Sequence, residues 1–382
     1  MSTMERILRL MADKNASDVY LSANSPALIK INGQALPINS QVLPPDAPLN
    51  LLSEILPPEK IEELREIGEL NVAIPLAGVG NFRISGFRQR GTYAAVIRYV
   101  PTEIPPLGNL KLPAILADLV MEKRGLLLMV GATGAGKSTT LASMIDHRNA
   151  RTLGHILTIE DPIEFLFTNK KSVVNQREVG SDTQSLQVGL KNALRQAPDV
   201  IMIGEIRDRE TMSAAIAYAQ SGHLCLATMH ANNSYQALNR ILGFYPVEVR
   251  STMLGDLSAA TKAIVSQRLL RTQAGSRAPA VEVMLNTKLI SEFIEKGDFS
   301  SVKEAMEKSM AEGSQTFEQD IAKLIGDGTV TRKEGLLYAD SPTNLMWRLE
   351  NDFAVATRAA AAPVEDPDDE PSFTEITLDV KH

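Results

Sequence analysis

The chain has 382 residues, 44% of them apolar, with 46 acids against 39 lysines and arginines and a net charge of −7. Such a length exceeds one average domain and the apolar share can bury a sizeable core, while the acid excess argues against nucleic-acid binding, which needs a basic face. The charge is uneven: from Pro363 onward seven acids face one base, so the tail carries −6 of it.

Residues 1–100 read as a small mixed α/β domain. Ile7, Leu8, Leu10 and Met11 recur with helical period, and Asp18 to Leu21 then alternates as a strand does. LIKINGQALPI (Leu28 to Ile38) holds Asn32-Gly33 between two apolar stretches, a hairpin signal. Glu59 to Gly68 reads as a helix with a glycine stop, and Asn81 to Tyr99 as a second hairpin turning at Gly91. Pro101, Pro105 and Pro106 then mark a linker over 101–112.

The next region, 113–285, changes character. GLLLMVG, HILTIE, DVIMIGEI and HLCLATMH are short, continuously apolar strands separated by helical segments. Strands without alternation imply a parallel sheet covered on both faces. Helical patterns fill 286–357, beginning with LISEFIEKG, and residues 358–382 are rich in alanine, proline and acids, a composition of disordered segments. Cys225 is the sole cysteine, which excludes an intramolecular disulfide and a cysteine-based zinc cluster. No early stretch resembles a secretory signal, and no run approaches the roughly 18 apolar residues of a membrane span. A cytoplasmic protein without direct membrane insertion is expected.

Gly131, Ala132, Thr133, Gly134, Ala135, Gly136, Lys137 and Ser138 spell GATGAGKS, followed by Thr139. This satisfies the phosphate-binding pattern G-x-x-x-x-G-K-S in its proper context, between an apolar strand and a helix. The glycines let backbone N–H groups converge on phosphate oxygens at a helix N-terminus. Lys137 would neutralise the β- and γ-phosphates of ATP, and Ser138 would offer a hydroxyl to Mg²⁺. DVIMIGEI delivers Glu205 at the end of a buried strand, suited to Mg²⁺ partly through water, although Gly204 stands where an aspartate is usual. IEDPIEF crowds further carboxylates, and hydrolysis needs one to accept a proton from water. Spacing leaves the choice open among Glu160, Asp161, Glu164 and Glu205.

His223 and His230 flank LCLATM, too far apart to share one helix turn as a metal pair. Such histidines are more often satisfied core or loop residues, but His230, beside a phosphate site, could sense the γ-phosphate. Arg83, Arg88, Arg90 and Arg98 lie in the second hairpin. Strand arginines mostly keep a face solvated, yet phosphate-loop hydrolysis often uses an arginine supplied from elsewhere.

With these residues in place, the chain resembles the type IV pilus retraction ATPases, the PilT/PilU family within the GspE-like secretion ATPase superfamily. ASDVYLSA, GATGAGKS, ILTIEDPIEF, NQREVG, LRQAPDVIMIGEIRD, SGHLCLATMHANN, TFEQDIAKL and YADSPTNL carry the likeness. The resemblance implies a PAS-like α+β domain followed by a RecA-like domain, assembled as a homo-hexamer with ATP and Mg²⁺ between protomers. It implies Glu164 as general base, Glu205 at Mg²⁺, His223 and His230 in a histidine box, and Arg83 and Arg98 reaching phosphates. Partners would be a PilT-like paralogue and a PilC-like inner-membrane platform protein, placing the chain at the inner membrane only peripherally. QRLLRTQAGSRAPAVE lacks the four cysteines of extension and secretion ATPases, and LISEFI (Leu289 to Ile294) replaces the AIRNLI helix of the PilT type. The first departure disfavours the extension and secretion subfamilies, and the second, with the acidic extension after Asp352, favours the accessory PilU branch; a type II or type IV secretion traffic ATPase, or a mainly regulatory ATP-binding subunit, are the alternatives.

Overall fold

The computed structural model describes residues 1–31, 33–100, 103–309 and 311–360. Asn32 of the expected turn, Pro101 of the expected linker and residues 361–382 of the acidic tail lie outside that range. The final helix, Pro342–Ala360, runs slightly past the expected start of the tail.

The first helix, Thr3–Asp13, begins where the Ser2 hydroxyl accepts the Glu5 N–H at 3.1 Å, satisfying one of the helix's orphan donors. Its buried face carries Met4, Ile7, Leu8 and Met11. Six strands follow: β1 (Asp18–Ser22), β2 (Pro26–Ile31), β3 (Gln34–Val42), β4 (Glu69–Leu76), β5 (Gly80–Gln89) and β6 (Thr92–Val100). They form one antiparallel sheet in the order β3-β2-β1-β6-β5-β4. Gly33 and Gly91, at φ 85° and 76°, take left-handed turn positions where a side chain would be strained. Both expected hairpins form. Strand β4 alternates Leu70, Val72, Ile74 and Leu76 with exposed neighbours, the pattern of a half-buried strand.

The helix Pro58–Ile67 stops at Gly68 in the left-handed conformation, as the sequence reads. Phe82, Ile84, Ile97, Val19 and Leu64 meet the first helix in a common apolar cluster. This is the PAS-like α+β half.

Seven more strands build the second sheet: β7 (Gly125–Val130), β8 (Gly154–Glu160), β9 (Ser172–Glu178), β10 (Val200–Ile203), β11 (Leu224–Met229), β12 (Thr261–Arg271) and β13 (Arg277–Leu285). Their order is β13-β12-β7-β11-β10-β8-β9, and every pair from β12 to β9 is parallel. Successive side chains point to opposite faces, so Leu126, Leu128 and Val130 enter one apolar cluster while Leu127 and Met129 enter another. Both faces are buried, which is why the four sequence runs are continuously apolar. Cys225 is fully buried on β11, and that burial pushes its thiol pKa up, so it packs as a small hydrophobe.

LISEFI lies within the helix Lys288–Lys296, opened by the Thr287 hydroxyl accepting the Ile290 N–H and closed by Gly297. A separate unit, Leu270–Ala280 with residues from Phe317 onward, packs Phe317, Ile321, Leu345 and Leu349 into its own apolar cluster. Among the described residues no helix is long and apolar enough to cross a membrane.

Phe82 is fully buried, its ring centroid 5.3 Å from that of Tyr99. Truncation leaves a cavity that a close-packed core closes only partly, so Phe82→Ala is expected to destabilise the chain by about 3–5 kcal/mol. A lowered urea midpoint for the loss of near-UV circular dichroism measures it.

Candidate functional site

In a parallel sheet every strand ends at the same edge, and ligands gather where successive connections leave in opposite directions. The loop after β7 is at such a point, because β7 lies between β11 and β12. Gly131, Gly134 and Gly136 of this loop all have positive φ. A Cβ on Gly131 would come within 2.6 Å of the Gln267 carbonyl, and one on Gly136 within 2.7 Å of Gln267 Nε2. The loop therefore needs glycine at both positions to pass this close to β12.

The loop and the ends of β8, β10 and β11 enclose a cavity of about 470 Å³. Lys137 and Ser138 line it from the first turn of the helix Lys137–Asn149, with Glu160 and Glu164 from β8 and its loop, Glu205 after β10, and His230 after β11. Thr133 and Thr139 line it as well, while Ala135 is buried behind the loop. Lys137 is 9% exposed and its ammonium donates to the Gly131 and Ala132 carbonyls at 2.8 and 2.9 Å. Burial lowers its pKa, opposed by the negative charges of Glu205 and Glu164.

The carboxylates differ by environment. Glu160 is buried and accepts hydrogen bonds from Thr158 Oγ1 at 2.6 Å and Gln176 Nε2 at 3.1 Å. Its pKa is raised, first by desolvation, against the lowering effect of those bonds. Glu205 is bracketed, with Arg207 Nε donating to Oε2 at 2.8 Å and His230 Nε2 lying 3.3 Å from Oε1. Arg207 is held above the ordinary guanidinium range chiefly by its hydrogen bond to Glu205. Glu164 is exposed to the cavity, two residues beyond a cis Asp161–Pro162 peptide. Gly204, standing where an aspartate is usual, has a packing reason: a Cβ there would lie 3.1 Å from the Glu160 Cα.

Not every expected residue reaches this cavity. His223 precedes β11 and His230 follows it, so by strand rise they are separated by about 20 Å. His223 sits within reach of Ser221 Oγ at 3.1 Å and the Tyr218 carbonyl at 3.3 Å, away from the carboxyl edge. Arg83 and Arg98 are register partners across β5 and β6 and line a neighbouring cleft with Asp161, Pro162 and Glu178. Arg98 Nε donates to Asp18 at 3.0 Å. Arg83 donates to Glu178 Oε2 at 2.9 Å and to the Ile163 carbonyl, and Glu178 Oε2 also accepts the Ile163 N–H at 3.0 Å. Arg83 and Glu178 thus grip both backbone groups of the residue preceding Glu164. Burial lowers the Arg83 pKa despite Glu178, and its Nε is buried without a partner. Arg88 instead donates to the Arg65 carbonyl and lies over the Tyr93 ring, a local packing role.

Several contributors carried no signal of their own role in the sequence. Gln267 sits on β12 in a stretch that drew attention only for its missing cysteines. Glu178 ends β9 within NQREVG, and Arg207 follows Glu205 at a spacing common in loops. Phe165, Phe167 and Leu269, which line the cavity, lie in ordinary apolar surroundings. For ATP with Mg²⁺ the residues fit: the glycine cradle admits a closely approaching phosphate, and the Ser138 hydroxyl and Glu205 carboxylate are the hard oxygen donors Mg²⁺ takes.

Residues 68–334 match the family model for the type II/IV secretion system protein. The chain is 46% identical over 342 residues to the type IV pilus ATPase PilU of Pseudomonas aeruginosa, covering 89% of this chain and 90% of that protein. It is 33% identical to the pilus retraction ATPase PilT of the same organism, over 88% of this chain and 98% of that one. Among solved structures, the pilus retraction motor PilT with bound ADP superposes at a TM-score of 0.84 with 36% identity, covering 90% of this chain and 98% of that one. The chain belongs to the type II/IV secretion system protein family, in the branch of its pilus ATPases.

Proposed function

We propose that this chain is an ATP-hydrolysing motor of the type IV pilus machinery, one that drives or assists pilus retraction and twitching motility beside a PilT-like paralogue. The observation that carries the proposal is the gathering of Lys137, Ser138, Glu164 and Glu205 around one cavity at the carboxyl edge of the sheet. The likeness to PilU along nearly the whole chain supplies the setting.

In this reading the loop N–H groups and Lys137 hold the phosphates of ATP. Lys137 exchanges its two carbonyl partners for phosphate oxygens, and its buried site strengthens that attraction. Ser138 and, partly through water, Glu205 hold Mg²⁺, which when bound offsets charge on the phosphates. Glu164 acts as general base: it accepts a proton as water attacks the γ-phosphorus and the bond to the bridging oxygen breaks, giving ADP and phosphate. His230 and Arg207 keep the Glu205 carboxylate oriented, so the γ-phosphate state can be felt at the end of β11. His223, at the other end of that strand, takes no part. Arg83 and Arg98 serve as phosphate-directed arginines from the N-terminal sheet, and Arg83 must leave Glu178 to do so.

The mechanical output follows if residues 1–100 and 113–285 act as two bodies joined by 101–112, with 286–357 as a helical region and 358–382 as a tail. Contacts made only with ATP bound shift the equilibrium between their arrangements. Six protomers in a ring, docked peripherally on a polytopic platform protein of the inner membrane, turn that shift into return of pilin subunits. A secretion traffic ATPase remains the competing use of the same site, and the protein that co-purifies with the ring separates the two.

Four outcomes test the proposal. Lys137→Ala should abolish ATP turnover, whereas Glu164→Gln should retain nucleotide binding and lose about a hundredfold or more in kcat; normal steady-state phosphate release by the glutamine variant would refute the base assignment. Arg83→Ala should cut turnover by about 10³-fold while ATP affinity, read by a fluorescent analogue, changes only a few-fold. In cells lacking other retraction ATPases, twitching should be weak with this chain alone and restored beside a PilT-like paralogue; no effect in either background would refute the pilus role.

A further inference from the structure

Gln267 lies on β12, 3% exposed, one residue beyond the Ser266–Val130 pairing with β7. Its side chain makes two buried hydrogen bonds, one to the phosphate loop and one to the helix that follows it. Nε2 donates to the Ala135 carbonyl at 2.9 Å, and Oε1 accepts from Thr140 Oγ1 at 2.8 Å. Ala135 is on the loop and Thr140 is in the first turn of the following helix, itself bonded through its N–H to the Gly136 carbonyl at 3.0 Å. The two ends of one amide therefore join crown and helix from behind, while the backbone carbonyl of the same residue excludes any side chain at Gly131.

The direction of the first bond matters most. A trans peptide is planar, and its carbonyl and the next N–H point in opposite directions. Holding the Ala135 carbonyl inward on Gln267 turns the Gly136 N–H outward, toward the cavity that Gly136 lines. With that carbonyl released, the peptide can rotate and present oxygen where an anion must sit. We infer that Gln267 is a positioning residue for phosphate binding, fixing the Ala135–Gly136 peptide so that its N–H, and not its carbonyl, faces the nucleotide. The inference rests on the reading of this cavity as an ATP site and adds to it a residue outside the loop itself.

The full-length chain and two variants, titrated with a fluorescent ATP analogue and Mg²⁺, test it. Gln267→Leu keeps the volume but strands a buried carbonyl and hydroxyl, so affinity should fall about tenfold, with KM rising more than kcat falls. Gln267→Glu keeps the acceptor for Thr140 and regains a donor to Ala135 only when the introduced carboxyl is protonated, which burial favours. Its affinity relative to the unchanged chain should therefore be low at pH 8 and recover toward pH 6. A purely structural role would lower stability without this pH-reversible affinity. If the leucine variant fails to fold, the pH profile of the glutamate variant decides alone. Affinity within twofold of the unchanged chain for the leucine variant, or a flat relative profile for the glutamate variant, would overturn the inference. Failure of the unchanged chain to bind the analogue would instead overturn the ATP reading.

Discussion

The whole site depends on one constraint: β7, β8, β10 and β11 run parallel and are buried on both faces. Burial on two sides demands continuous apolar strands, and parallel alignment sends every strand end to the same edge. The chemistry can then occur only where the apolar runs stop. Glu205 and His230 come within two residues of those stops, Lys137 follows β7 across the phosphate loop at the start of the next helix, and Glu160 is itself the last residue of β8. The surrounding apolar layers lower the local dielectric, so each charge at the edge acts strongly on its neighbours.

That dielectric also separates the carboxylates. Glu160 is enclosed, its pKa raised by desolvation and its Oε1 accepting from both Thr158 and Gln176, so it serves as a support for the β8 end. Glu205 is largely covered, paired with Arg207 and in contact with His230. Glu164, the proposed base, reaches the cavity from a loop, with no fixed partner of this kind among the described residues. Three acids adjacent in chemistry are thereby given different surroundings by the places where their strands end.

The N-terminal sheet takes part through Arg83. Its guanidinium and the Glu178 carboxylate grip the carbonyl and N–H of Ile163, directly before Glu164. The same arginine proposed to meet phosphate thus holds the loop that carries the proposed base. Its pKa is lowered by burial, and its Nε lacks a partner, so this resting arrangement satisfies the guanidinium incompletely. A phosphate in reach would compete with Glu178 on favourable terms, since both offer charge-assisted bonds to the same fork.

The amino-acid sequence by itself determined the hairpins of the first sheet, the four central strands of the second, the phosphate loop and the acids that follow the strands, because each is written in a short local pattern: apolar runs, turn glycines, a glycine-lysine-serine crown. Family membership was legible for the same reason, through boxes of residues in a fixed order. The tertiary structure alone decided which of those residues share a cavity. It separated His223 from His230, because two ends of one strand face opposite edges of the sheet. It joined Arg83 to Glu178, 95 residues apart, and Gln267 to Ala135, 132 residues apart. Neither pairing leaves a periodic trace, since strand order and register, not local propensity, bring such residues within hydrogen-bond distance.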